Sequence, residues 1–362
     1  MELIYKYGLS DFFISQINKN EIDIVARIIS ANKKNLKAIT KYGEKKALIK
    51  GSSIHYNTLF DSTLPKVGDF VVLETQDYML LNDSYFIKKV LNRSTTLKRK
   101  IIGNSYQDQI LATNIDYAFV CISADMQFSL AKMQRIITAC IDSKIIPVIL
   151  LTKIDICENY KDLLKQIKLN FSDFESYGVS IFDSKSINII QEFLKNNKTG
   201  VLIGSSGCGK SSITNILLED NIQKTQDVSV LNNKGRHTTT ARTIFLLPQG
   251  GCIIDTPGIK EFALWVDNDN SIDNSFFDIT SIAKMCKFSN CTHTTEIACK
   301  VKEALLLGEI SQDRLNEYLK LKNENLSLKL HKKSYHKQVQ QKNLSKKVKI
   351  AKLNKAYNKD IN

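Results

Sequence analysis

The sequence predicts a multidomain chain: an N-terminal β-barrel, a central doubly wound α/β domain built on a phosphate-binding loop, and a C-terminal helical domain stapled by metal. Three observations predict it. Short β-rich runs separated by turn residues fill positions 1–98. Strands and helices then alternate around Gly204-Ser205-Ser206-Gly207-Cys208-Gly209-Lys210-Ser211, which fits G-x-x-x-x-G-K-[ST]. Further on, Cys286, Cys291, His293 and Cys299 form C-x4-C-x-H-x5-C.

At 362 residues and 43% hydrophobic, the chain can fill two or three cores. Its formal charge of +14 points to a polyanionic partner, although Lys far outnumbers Arg and a Lys-rich composition alone gives the same balance. No apolar run is long enough to span a membrane, and the first residues do not read as a signal peptide. Eight cysteines without disulfide-like spacing read as reduced thiols of a cytoplasmic protein.

In the first part, runs at 22–29, 36–39, 47–49, 67–73 and 85–90 alternate apolar and polar residues, which predicts a five-stranded barrel. Such barrels include RNA binders of the OB type and SH3-like folds with no such role. Residues 93–110, with Arg93, Lys98, Arg99 and Lys100, read as a basic linker.

The α/β part predicts a buried strand at 116–122, a helix at 130–143, a strand at 146–151, helices at 159–169 and 187–195, and a strand at 201–203 leading into the phosphate loop. Loop glycines allow backbone N–H groups to point at phosphate oxygens, and the helix beginning at Ser212 adds partial positive charge. Gly204 to Ser212 therefore form the expected phosphate site, with Lys210 on the β and γ phosphates and Ser211 on magnesium. Cys252-Ile253-Ile254-Asp255-Thr256-Pro257-Gly258 is a strand running into D-x-x-G: Asp255 is placed to hold magnesium through water, and the Gly258 N–H to sense the γ phosphate. Between them, Gly235-Arg236-His237-Thr238-Thr239-Thr240 supplies hydroxyls. One of Thr238, Thr239 and Thr240 is the expected second magnesium ligand; Thr239 is taken for that role, with Thr240 a further nucleotide contact.

Thr152-Lys153-Ile154-Asp155 resembles the guanine reader N-K-x-D. A carboxylate at Asp155 accepts from guanine N1–H and N2–H2, a pair adenine lacks, which argues against an ATPase acting on nucleic acid. The Lys153 stem can lie over the base, and Ser180 falls where a last guanine contact is expected. Thr152 stands where Asn is usual, keeping a hydroxyl but losing the amide that braces this loop against the phosphate loop.

The base reader precedes the phosphate loop, so the domain is circularly permuted. In motif identity, motif order and the C-terminal cluster, residues 1–330 resemble the circularly permuted, ribosome small-subunit-dependent GTPases of bacteria, the small-subunit-dependent GTPase A family. The resemblance implies an OB-type barrel at 1–98, similar around Gly68-Asp69-Phe70-Val71; a GTPase domain at 99–265; and a zinc domain at 266–330. It implies a monomeric, membrane-free factor that binds the 30S subunit and its 16S-type rRNA, assists late maturation, and hydrolyses GTP to GDP and phosphate to time its release. Ile259 follows Gly258 where many GTPases carry a water-orienting Gln, which leaves a GTP-dependent RNA-binding switch with negligible hydrolysis as the rival reading. His237 is the candidate for positioning water; the alternatives are that it contacts RNA or packs on the switch.

Three thiolates and one imidazole suit closed, tetrahedral, structural zinc; the alternative is buried thiols beside a surface histidine. A helical stretch at 301–330 with Ser311 as N-cap follows. Positions 331–362 form a Lys-rich tail, either a solvated extension or a segment that orders on rRNA.

Overall fold

The computed structural model describes residues 2–18, 24–32, 35–49, 64–74, 84–101, 104–125, 130–219, 242–255 and 269–327. His237, Thr238, Thr239, Thr240, Gly258, Ile259 and the tail lie outside the described residues. The chain divides into two compact units, Met1–Arg99 with Gln109–Trp265, and Lys100–Asp108 with Val266–Asn362.

In the first unit, β1 (Val25–Asn32), β2 (Asn35–Thr40), β3 (Gly43–Leu48), β4 (Phe70–Glu74) and β5 (Ser84–Val90) overlap the five expected runs; burial alternates along β3, whereas β1 and β4 are buried at successive positions. They pair in the order β1-β2-β3-β5-β4, and β4 returns to β1, so the sheet closes into a barrel. Only β3–β5 is parallel. This is the OB-type barrel. The Gly-Asp-Phe run is its base. Gly68 has φ +98°, and a Cβ there would lie 2.0 Å from the Thr113 carbonyl oxygen, so only glycine fits. Asp69 is fully buried, yet satisfied: Arg93 donates to it through Nε and Nη2 at 2.7 Å each, and the Thr113 hydroxyl donates at 2.7 Å.

The sequence reading assigned residues 93–110 to a linker. Here they form a hairpin of β6 (Thr96–Ile101) and β7 (Asn104–Thr113), with Leu97 and Leu111 fully buried. Their apolar residues are too sparse to register as strands, and the charge of Arg93 is spent on Asp69 rather than on solvent.

Two short helices not anticipated from the sequence, α1 (Glu2–Lys6) and α2 (Asp11–Ile14), place Ile4, Leu9 and Phe13 in the core. Arg27 of β1 is 1% exposed. Its guanidinium donates to the carbonyls of Gly68, Tyr7 and Asn114 and to the Thr199 hydroxyl, and lies 5.0 Å from the centre of the Phe70 ring. Burial lowers its pKa, and these acceptors stabilise the charge. One side chain thus ties the N-terminal helices, the barrel and the start of the strand that carries the phosphate loop.

The α/β part orders β10 (Ser176–Val179), β9 (Ile146–Thr152), β8 (Tyr117–Ser123), β11 (Thr199–Gly204), β13 (Cys252–Asp255) and β12 (Arg242–Leu246), all parallel except β12. Helices α3 (Leu130–Asp142), α4 (Tyr160–Asn170), α5 (Ser184–Leu194) and α6 (Lys210–Glu219) cover it. Successive residues of β8 face opposite layers: Ala118 and Val120 share a cluster with Met133 and Ile137 of α3, while Phe119 and Cys121 share one with Ile190 of α5 and Ile213 of α6. Burial on both faces explains the uninterrupted apolar runs of these strands. Helix α5 begins three residues before the expected start because Asp183 caps it, accepting from the Lys185 N–H at 3.0 Å. At the far edge, β12 also pairs antiparallel with β1, through Ser30↔Thr243 and Ala31↔Arg242, so barrel and α/β part share one eleven-stranded sheet.

In the second unit, α7 (Asp269–Ser275), α8 (Phe277–Ala283), α9 (Lys300–Leu306) and a helix over 312–327 enclose Ile272, Phe276, Ile279, Val301, Leu315 and Tyr318. The expected continuous helix at 301–330 is broken at Gly308, φ +74°. Ser311 then caps the next one, its hydroxyl accepting from the Arg314 N–H at 3.2 Å.

Candidate functional site

Strands β8, β9, β10, β11 and β13 run the same way, so their C-terminal ends share one edge of the sheet. Four expected motifs emerge there: the phosphate loop after β11, Asp255 at the end of β13, Thr152 at the end of β9, and Ser180 just after β10. The strand order also changes direction about β11, since the chain reaches β8, β9 and β10 before it and β12 and β13 after it. That is the switch point at which doubly wound sheets bind ligands.

The phosphate loop has the backbone its glycines predict. Gly207 and Gly209 take φ +81° and +87°, and a Cβ on Gly204 would lie 2.3 Å from the Cys121 carbonyl oxygen. The Lys210 ammonium donates to the carbonyls of Gly204 at 2.8 Å and Ser205 at 2.6 Å, which holds it inside the loop. Ser206, Ser211 and Ser212 are exposed, at the loop and the first turn of α6. Cys208 points into the core. The neighbouring Cys121 thiol and the Lys210 ammonium draw its thiol below the usual range against the cost of burial, and Cys121 is pushed up in exchange.

The base side is fastened to this loop through Thr152. Its hydroxyl lies 2.8 Å from the Cys208 carbonyl oxygen and 3.1 Å from that of Ile122, so the shorter side chain still bridges the two loops. Thr152→Val keeps the shape and leaves the buried carbonyls without that donor. We expect GDP affinity to fall roughly tenfold, in line with the cost of one unmade buried hydrogen bond. Calorimetric titration with GDP checks this; unchanged affinity would show the bridge to be dispensable.

Lys153 has φ +58°, and its ammonium pairs with Asp125 at 2.9 Å. Ile154 packs against Gly178 of β10 and anchors the turn. Thr152, Lys153, Asp155, Phe182, Gly209 and Ser212 are among the walls of a cleft of about 160 Å³. Ser180 is not among them. It is 4% exposed, with its hydroxyl accepting from the Phe182 N–H at 3.1 Å and its own N–H donating to Ser186. The sequence pointed to Ser180 for a base contact and gave no signal for Phe182, an apolar residue in a polar turn that lines the cleft.

In the second unit, Cys286, Cys291, His293 and Cys299 converge, with all four ligand atoms within 4.8 Å of one another. Cys286 Sγ lies 3.9 Å from Cys299 Sγ and 3.8 Å from His293 Nδ1, which is 3.4 Å from Cys299 Sγ. Ordinary zinc bond lengths at tetrahedral angles give edges of about 3.8 Å between sulfurs and about 3.6 Å from sulfur to nitrogen, so the donor set fits zinc. Glu296 holds the loop between ligands, accepting from the Thr292 and Thr294 N–H groups at 2.7 and 3.0 Å.

A permuted, doubly wound sheet with a phosphate loop, an acidic strand end and a base-side cleft at its switch point defines a P-loop nucleotide-binding protein of the circularly permuted class. The profile of the RsgA GTPase family matches residues 90–265. "Small ribosomal subunit biogenesis GTPase RsgA 1" of Oceanobacillus iheyensis is 37% identical over 309 residues, 84% of this chain and 86% of that protein. "Small ribosomal subunit biogenesis GTPase RsgA 2" of Lactiplantibacillus plantarum is 33% identical over 321 residues, 89% of each chain. The crystal structure of YjeQ from Thermotoga maritima aligns with a TM-score of 0.61 at 23% identity, covering 83% of this chain and 98% of that one. The chain belongs to the RsgA GTPase family, a family of GTP hydrolases.

Proposed function

We propose that this chain is a GTP hydrolase of small ribosomal subunit biogenesis, which grips the 30S particle and its 16S-type rRNA with GTP bound and leaves after hydrolysis. What carries the reading is the meeting of the phosphate loop, Asp255 and the guanine-reading turn at one sheet edge, in a chain whose relatives are named for that process.

In this reading the N–H groups from Gly204 to Gly209 hold the phosphates, and Lys210 leaves its own carbonyls to meet the β and γ oxygens. Asp155 reads guanine and Thr152 braces its turn. Ser211 and Thr239, with Asp255 through water, would hold magnesium, which when bound neutralises charge developing on the transferred phosphoryl group. The Gly258 N–H senses the γ phosphate, Thr240 adds a contact beside it, and His237 orients the attacking water. The three Cys and one His hold a single structural zinc. The barrel at 1–98, the zinc domain at 266–330 and the tail at 331–362 grip RNA, and residues 99–265 time release. The protein works as a cytoplasmic monomer away from membranes. Among the described residues, no helix is long and apolar enough to cross one.

The test is GTP hydrolysis with and without purified small ribosomal subunits. Strong stimulation by the small subunit, and loss of stimulated turnover in His237→Ala with GTP affinity intact, are expected. Equal loss of affinity and turnover would remove His237 from the chemistry. Tight GTP binding without stimulation would favour the non-hydrolysing switch, the reading that Ile259 supports.

A further inference from the structure

The geometry points to Phe182 as the stacking partner of the purine ring, a binding residue that sets nucleotide affinity without contributing to the choice of base. The inference rests on the guanine-nucleotide reading above and names a wall of that same cleft.

Phe182 is 83% exposed, the most exposed aromatic side chain among the described residues. It lies beside the cleft that also has Lys153, Asp155 and Gly209 in its walls. A ring left in water at such a place forgoes the free energy of burial, which a flat aromatic ligand would restore.

The backbone beneath the ring is fixed. The Phe182 N–H donates to the Ser180 hydroxyl, and the Asp183 N–H donates to the Ser180 carbonyl at 3.2 Å. The Ser186 hydroxyl donates toward the Ser180 and Asp183 carbonyls at 2.9 and 2.8 Å, while Asp183 caps α5. The turn is therefore built before any ligand arrives, and little backbone ordering remains to oppose stacking. This also gives Ser180 a role different from base contact, as the support of the residue that makes it.

Stacking depends on the π face and is tolerant of ring substituents, whereas a carboxylate reads edge donors. The cleft therefore divides the work, with Phe182 holding any purine and Asp155 rejecting those without the guanine donor pair.

The experiment is competition of GDP, GTP and ATP against a ribose-labelled fluorescent GDP on the full-length protein, for wild type and for Phe182→Ala, Phe182→Leu and Phe182→Trp. Loss of the ring should weaken GDP and GTP alike by roughly 5- to 100-fold, the range that aromatic stacking on a base supports. Leu should not rescue, Trp should return to within about threefold of wild type, and the GTP-to-ATP preference should stay constant. In turnover assays the loss in Phe182→Ala should appear in KM for GTP more than in kcat. Wild-type affinity in the Ala or Leu variant would overturn the inference. So would a collapse of the GTP-to-ATP preference. Failure of the wild-type protein to bind guanine nucleotides would instead overturn the underlying site assignment.

Discussion

Asp155→Asn should convert the protein from a guanine reader into a xanthine reader. Guanine presents two donors on one edge, N1–H and N2–H2, and a carboxylate accepts both. The amide of Asn accepts at one atom and donates at the other, so its NH2 group meets the guanine NH2 group and both are left unpaired. A site built around such bonds rejects the wrong partner by large factors, and GTP affinity should fall about 10³-fold or more. Xanthine keeps N1–H and carries a carbonyl at C2, which restores a matched pair with Asn. Xanthosine triphosphate should bind the variant better than GTP does, reversing the wild-type order. The brace from Thr152 to Cys208 is untouched, so the loop keeps its place and the result reports on base chemistry alone. Competition between the two nucleotides decides the matter, and a variant that still preferred GTP would take Asp155 out of the base site.

Removing zinc should unfold the second unit while leaving the nucleotide site working. Its core is small, with ten buried apolar side chains among the described residues, and short helices of this kind are marginal on their own. A closed site of three thiolates and an imidazole contributes about 10–16 kcal/mol to folding near neutral pH, more than the whole stability of most small domains. Cys286→Ser, or an excess of a strong chelator, should therefore make residues 269–327 sensitive to protease and lower helical circular dichroism. GDP binding should persist, because every described residue of the base and phosphate sites lies in the first unit. Since thiols must lose protons to bind, zinc retention should weaken as the solution is acidified. A second unit that stayed protease-resistant after metal removal would reduce the cluster to buried thiols.

The parts of this protein written in local pattern were legible in the sequence. The phosphate loop, the acidic strand end and the C-x4-C-x-H-x5-C cluster each place their chemistry within a few residues, and the reversed motif order gave the permutation outright. Apolar runs within Val25–Asn32 and Phe70–Glu74, bounded by turn residues, were enough for the barrel, although both strands are buried at successive positions rather than on one face alone. What escaped depends on partners far along the chain. Arg27 reads as one more polar residue in an alternating strand, and nothing local says that Tyr7, Asn114 and Thr199 gather around it. Arg93 looked like part of a solvated linker because its partner, Asp69, sits 24 residues away. The place of Phe182 in the cleft wall was illegible for a different reason: an exposed ring has no periodic signature. Thr152 was read as a loss relative to Asn, but its hydroxyl reaches the neighbouring loop unaided.

The pairing of β12 with β1 bears on how the protein stays soluble. A strand at the margin of a sheet offers a row of unsatisfied amides and carbonyls, a template on which other chains can polymerise. Here β12 has β13 on one side and the barrel on the other. The barrel thus covers the β12 margin of the α/β sheet, while β10 stands at the opposite margin. Severing the two at their connecting hairpin would uncover Arg242 and Thr243, the β12 residues paired to β1, and neither half would be the inert module that its fold suggests.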